Sequence, residues 1–339
     1  MYGADLSSLA ITSYSSSRQF FATDLLDPLR CQDSEAGRRA WLTAKVDHMQ
    51  IPRASLRGSS RVARFEERSM TDVCLLFRKA IRIVALMLIP MPAVAESDAD
   101  LAQQLSNPVA ALISVPFQFN YDANIGANRD GDRYLLNFQP VIPFRLNGNW
   151  NLISRTIAPI VSQNNVAPGS GSQTGLGDVV QSFFFSPAKP TQGGLIWGVG
   201  PVFLLPVSTD RLLGAEKWGA GPTAVLLWQA NGWTYGFLAN HLWSFAGDGN
   251  RAGVSSTFMQ PFLNYTTKDA WTFVLNTEST YNWNRHQWST PINATVSKLL
   301  KIGELPVNIG AGVRYWAASP DTGPHGWGAR LVVTLLFPK

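Results

Sequence analysis

From residue 112 onward, apolar and polar residues alternate with period two over nearly the whole chain, the pattern of strands that bury one face. The clearest stretch is 271–283. Trp271, Phe273, Leu275, Thr277, Ser279, Tyr281 and Trp283 fall on one side of it, and Thr272, Val274, Asn276, Glu278, Thr280 and Asn282 on the other. The same periodicity predicts twelve strands near 112–121, 133–146, 150–161, 177–186, 195–206, 218–229, 233–245, 257–267, 271–283, 288–299, 306–317 and 327–337. No apolar run after Ala95 reaches the roughly 20 residues that a spanning helix needs.

The connections alternate in length. Asn147-Gly148-Asn149, Ala230-Asn231-Gly232 and Lys268-Asp269-Ala270 are short and carry hairpin-turn residues. Between them come long segments rich in Gly, Asp and Ser, such as 122–132, 162–175 and 246–256. An even strand number with short turns at one end and long loops at the other predicts an all-β, antiparallel transmembrane β-barrel of a Gram-negative outer membrane, its short turns periplasmic and its long loops extracellular.

Tryptophan sharpens that expectation. All eleven Trp after residue 95 stand at strand ends: Trp150, Trp197, Trp228, Trp233 and Trp271 beside short turns, Trp218, Trp243, Trp283, Trp288, Trp316 and Trp327 beside long loops. Indoles anchor at both membrane interfaces, so these residues are expected to form two belts. The pairs Trp218/Trp228 and Trp233/Trp243 are each ten residues apart on one strand. At about 3.3 Å per residue and a tilt near 45° they span roughly 23 Å of membrane, close to the ~25 Å apolar band of such barrels.

The last strand puts Trp327, Ala329, Leu331, Val333, Leu335 and Phe337 on one face and is expected to close against the first, its Phe337 followed by Pro338 and Lys339. Proline opposes the pattern. Pro116, Pro140, Pro201, Pro222, Pro261 and Pro291 fall inside expected strands, where each deletes a ladder donor, so they are expected at bulges or bends.

Charge divides the chain in two. Thirteen of its 28 Lys and Arg and nine of its 23 Asp and Glu precede residue 96, which leaves 15 and 14 for the remainder. The basic excess therefore belongs to the leader, and the nearly neutral remainder lacks the clustered basic face that binds nucleic acid. Cys31 and Cys74 also lie in the leader, which leaves no thiol to oxidise during export. From Met70, three cations (Arg78, Lys79, Arg82) precede the apolar run Ile83–Pro92 and the small-residue site Ala93-Val94-Ala95, the signature of a secretory signal peptide over 70–95. Residues 1–69 show no periodicity and are either an upstream start ahead of the true Met70 or a long n-region. Residues 96–111 are expected as a periplasmic N-terminal segment or an inward-folded plug, and 112–339 as the barrel.

Several blocks resemble the bacterial outer-membrane family named for the meta-pathway of phenol degradation: NPVAALISVPFQFNYDANIG from Asn107, GLGDVVQSFFFSP from Gly175, LGAEKWGAGPTAV from Leu213, ANHLWSFAGD from Ala239 and GWGARLVVTLLFPK from Gly326. The resemblance covers nearly all of 101–339. It implies a transporter passing aromatic or other small organic compounds, and brings no catalytic or ligand motif with it.

Taking the Trp face as outward, parity gives a polar lumen of Gln118, Asn120, Asn137, Gln139, Arg145, Arg155, Asp178, Asn240, Asn276, Glu278, Asn282, Asn293, Arg314 and Arg330. Arg155, Asp178, Glu278, Arg314 and Arg330 are the candidate selectivity residues, since lumen charges tune solute choice. The alternative is that they form salt bridges filling a closed barrel. Gly198, Gly200, Gly219, Gly221, Gly236, Gly310, Gly312 and Gly328 share the inward parity and are expected to leave lumen volume free.

Enzymatic chemistry finds little support. His286 and His325 fall in long loops, and His241 lies on the outward face near Trp243. A lipid hydrolase would need a matched Ser and an orienting third group beside that histidine. No G-x-S-x-G, H-E-x-x-H or calcium-loop pattern follows residue 95, so no catalytic residue, metal or cofactor is expected. The expected partners are outer-membrane lipid, the barrel-assembly machinery and a small organic solute. A passive channel is the favoured function; a closed barrel working through its loops is second, and an outer-membrane lipid hydrolase third.

Overall fold

The structure, a computed structural model, describes residues 97–338. The leader expected over 1–69, the signal peptide expected over 70–95 and both cysteines lie outside the described residues. The described chain begins with α1 (Asp98–Leu105) and continues as β1 (Ile113–Ile125), β2 (Gly131–Phe138), β3 (Val141–Arg145), β4 (Trp150–Asn164), β5 (Ser172–Leu176), β6 (Val179–Pro187), β7 (Leu195–Leu205) and β8 (Lys217–Ala230). The remainder is β9 (Trp233–Gly247), β10 (Ser255–Thr266), β11 (Trp271–Thr277), β12 (Ser279–Asn282), β13 (Gln287–Ile302), β14 (Leu305–Ala318) and β15 (Gly326–Phe337).

These segments form twelve strands. β2 runs into β3 across Pro140, and β11 into β12 across Glu278, with no change of register. β5 runs into β6 through a bulge at Gly177-Asp178: between Ile160↔Leu176 and Ile157↔Val180, β4 advances three residues while its partner advances four. Each strand pairs antiparallel with its neighbours in sequence, and β1 pairs with β15 from Ile113↔Phe337 to Tyr121↔Ala329. The ring is closed, so no strand edge is left unpaired.

The prolines sit where the ladders break or bend. Pro201 and Pro222 face each other across β7 and β8, each preceded by a glycine. A Cβ at Gly200 would lie on the Phe183 carbonyl and one at Gly221 on the His241 carbonyl, so only glycine lets the flanking strands approach that closely. Pro291 adjoins the bulge between β13 and β14.

The outer face is apolar. Leu226, Leu263, Leu275, Ile309, Val313 and Leu331 are exposed on it, a surface that water would not tolerate and hydrocarbon covers. Aromatic side chains flank this band. Beside the short turns, Trp150 meets Trp197 edge-on at 5.8 Å and Trp228 stacks on Tyr235 at 5.8 Å; Trp233 and Trp271 are exposed at the same end. At the other end Tyr281 contacts Trp283 and Trp288, Tyr315 contacts Trp327, and Trp218 and Trp243 are exposed.

Trp316 departs from the expected belt. It shares inward parity with the buried Arg314, and its indole N–H donates to Asp122 Oδ1 at 2.9 Å inside the barrel. A ring with a carboxylate partner and a guanidinium 4.6 Å from its centroid has its polar needs met indoors.

The interior is more apolar than parity suggested. Ile153, Phe184, Leu227, Leu238 and Val202 point inward and are fully buried. Val109, ahead of β1, packs with Ile153, Phe184, Val225, Leu227, Leu238 and Phe262. The glycines do not all leave space: a Cβ at Gly198 would stand 3.2 Å from both Val109 and Phe184, so that volume already holds the N-terminal segment. α1 is capped by Ser97, whose hydroxyl accepts from the Asp100 N–H. Its Leu101 and Ala102 pack with Leu112, Ala270, Leu299 and Leu336 at the short-turn end.

Candidate functional site

Three strongly buried groups define the charged part of the lumen. Arg330 is 3% exposed and donates through Nη1 and Nη2 to the two Glu278 oxygens at 3.0 and 2.7 Å, while its Nε donates to Asn120 Oδ1 at 2.8 Å. Asp122 is fully buried. It accepts from Arg133 Nη2 at 2.9 Å and from Trp316, and Arg314 Nε stands 3.4 Å away. Paired, hydrogen-bonded charges of this kind are the form in which ionised groups survive away from water.

The strands position these groups simply. Asp122 extends the inward parity of Gln118 and Asn120 beyond the expected end of the first strand, because β1 runs to Ile125. Arg133 lies opposite Asp122 in the β1/β2 ladder. Neither was singled out from the sequence: Asp122 fell in the expected loop 122–132, where continued alternation was the available signal, and Arg133 opened the expected strand 133–146 with the inward parity of Asn137 and Gln139. Glu278 occupies the β11/β12 junction, where its neighbour in β13 is Pro291.

Arg155 also faces inward. Its Nη2 donates to Gln139 Oε1 at 3.2 Å, and with Gln139, Gln260, Asn264 and Asn276 it lines a cavity of about 180 Å³ beside the N-terminal segment. Gln104, Asn107 and Pro108 of that segment form the other wall, and Gln229 Nε2 donates to the Gln103 carbonyl at 2.7 Å.

Asp178 does not belong with the lumen charges. Its Oδ1 accepts from Ser208 N–H at 3.3 Å and its Oδ2 from Ala215 N–H at 2.6 Å. Both oxygens hold the β7–β8 loop, so the carboxylate is an anchor and not a constriction group. The same loop is bound from the barrel wall, where buried Gln163 donates to the Leu212 carbonyl at 3.3 Å. Arg251 donates from the β9–β10 loop to the carbonyls of Arg211 and Gly214. Beside it, the Asn250 N–H donating to Asp248 holds that carboxyl below the ordinary carboxylate range.

On the outer face, His241 and Thr257 are directly opposed across β9 and β10. The His241 Nδ1 and Thr257 Oγ1 stand 2.7 Å apart, and Trp283 Nε1 donates to the same hydroxyl at 2.8 Å. Trp243 packs on the imidazole with centroids 3.9 Å apart. The histidine thus faces a threonine hydroxyl held by an indole at the aromatic belt. Among the described residues no His, Cys, Asp and Glu cluster has metal-site geometry.

No family model and no curated protein matches the chain. Solved structures do. The chain is similar to the COG4313 outer membrane channel from Pseudomonas putida F1, with a TM-score of 0.54 and 12% identity over 67% of this chain and 96% of that one. It also matches the outer membrane phospholipase A from Escherichia coli (TM-score 0.42, 12% identity, 72% and 99% covered) and the NanC porin (TM-score 0.40, 12% identity, 67% and 100% covered). At such identities the likeness is one of fold. With the closed ring and its apolar outer band, it makes the chain an outer-membrane β-barrel of Gram-negative type.

Proposed function

We propose that this barrel is an outer-membrane channel for passive passage of small organic compounds, aromatic ones among them. The observation that carries this reading is the Arg155-bearing cavity inside the closed ring. A barrel with only a structural role gains nothing from a cationic space held open in its interior. The similarity to the COG4313 channel, 96% of whose chain is covered, supports channel function, and the resemblance to the phenol meta-pathway family supports the aromatic class of cargo. Lipid, the assembly machinery and the solute are its partners, and catalysis plays no part.

The second reading is a closed barrel working through its loops. Val109 among the inward apolar side chains and the tethered β7–β8 loop favour it. Planar-bilayer conductance of purified protein, with and without residues 97–111, separates the two. Discrete current steps, larger in the truncated protein, are expected; no current from either form removes the channel reading.

A further inference from the structure

Among the described residues Arg145 has inward parity but is exposed at the end of β3; of the four arginines deeper in the lumen, three are spoken for. Arg133 and Arg314 share Asp122, and Arg330 holds Glu278. Among the described residues no carboxylate stands at ion-pair distance from Arg155, whose hydrogen-bonding partner is one neutral amide oxygen, on Gln139. A guanidinium carries five donors, so most of its capacity is unspent. Glu278 is near enough to act on Arg155 through space, but its two oxygens already accept from Arg330.

The cavity beside Arg155 has the chemistry of a small amphipathic site. Arg155 is the one charged side chain in its lining. Asn276 accepts from Asn293 at 2.9 Å through its oxygen, which leaves its amide nitrogen to donate. The Asn264 oxygen is buried with no partner, a position that a ligand hydroxyl or a water satisfies. Phe262 and Val274 add an apolar part. A volume of about 180 Å³ exceeds the ~150 Å³ of a cavity that takes up benzene, room for one ring and a short substituent.

Resting on the channel reading, we propose that this cavity is a binding subsite for small single-ring organic acids, with Arg155 taking the carboxylate. One unpaired guanidinium among neutral amides matches a monoanion. A guanidinium also engages a carboxylate through two parallel bonds that chloride cannot make, so the site distinguishes a carboxylate from a simple halide.

The test uses benzoate as the probe and benzyl alcohol as its neutral counterpart. Wild-type protein in planar bilayers is expected to show a potassium chloride current that millimolar benzoate reduces and benzyl alcohol leaves unchanged. R155Q is expected to need about tenfold more benzoate for the same reduction, the loss of a charge-assisted contact, and R155K to lie nearer the wild type. Heat-modifiability on gels confirms that each variant is a closed barrel. An R155Q current that keeps wild-type benzoate sensitivity overturns the subsite while leaving the channel reading intact. Absence of chloride current from wild-type and truncated protein overturns the channel reading instead. Titration calorimetry of benzoate into the detergent-solubilised protein then decides the subsite alone: tenfold weaker binding in R155Q sustains it, and equal or absent binding sinks it.

Discussion

Arg330 and Glu278 meet through two charge-assisted hydrogen bonds of 3.0 and 2.7 Å although β13 and β14 lie between their strands. The contact runs across the inner wall and not along a ladder. It ties β15, which closes the ring, to the β11/β12 junction across two intervening strands.

Removing one partner strands a buried charge. Arg330→Met or Glu278→Gln is expected to destabilise the barrel by about 3–5 kcal/mol, read as a lower urea midpoint in detergent. The double variant Arg330→Met/Glu278→Gln is expected to lose less than the two single losses combined. Strict additivity of the two would mean that the side chains do not interact.

Trp316 and Trp327 should behave as opposites. In proteins retaining a single tryptophan, brominated lipid is expected to quench Trp327, which faces outward, and to spare Trp316, which donates to Asp122. Trp316→Phe is expected to cost about 1–3 kcal/mol by leaving a buried carboxylate oxygen short of a donor. Strong quenching at Trp316 would return it to the lipid face.

Releasing the N-terminal segment should enlarge the current. Val109→Asp places a charge among Ile153, Phe184 and Leu227, an environment that expels it. Its conductance is expected to rise toward that of the 97–111 truncation. Conductance equal to wild type would show that the segment does not limit passage.

Asp178 makes a different prediction from the lumen charges. Asp178→Ala removes the acceptor of the Ser208 and Ala215 N–H groups. Trypsin cleavage after the exposed Arg211 should then accelerate several-fold in proteoliposomes, with ion selectivity unchanged. A selectivity shift without faster cleavage would restore Asp178 to the pathway.

His241 is the remaining discriminator. The hydroxyl opposite it accepts from Trp283, which lowers its nucleophilicity. Purified protein is expected to release no fatty acid from phospholipid, and His241→Ala to change nothing. Hydrolysis that vanishes in that variant would bring back the enzymatic reading.

Alternation with period two fixed which side of each strand faces hydrocarbon and which faces the interior, because successive side chains leave a strand on opposite sides. Turn chemistry did the rest of the local work: Asn231 and Gly232, both at positive φ (52° and 82°), make the tight hairpin that their residue types announce. Twelve strands and their direction were therefore legible in the sequence, as was the inward parity of Arg155, Glu278, Arg314 and Arg330. Trp316 was legible too, had parity with Arg314 been given more weight than position at a strand end.

Parity names a face but not a partner. Which inward charge reaches which depends on barrel curvature and on side chains that cross intervening strands, as Arg330 does to reach a residue 52 positions earlier in the chain. Nor does it reveal what enters from outside the ladder. Val109 inside the ring and the Asp178-anchored loop over Gln163 are contacts between distant segments, decided by the space that the closed ring leaves to be filled. Whether Arg155 faces a carboxylate or an empty space is a question of that kind, settled when the walls come together.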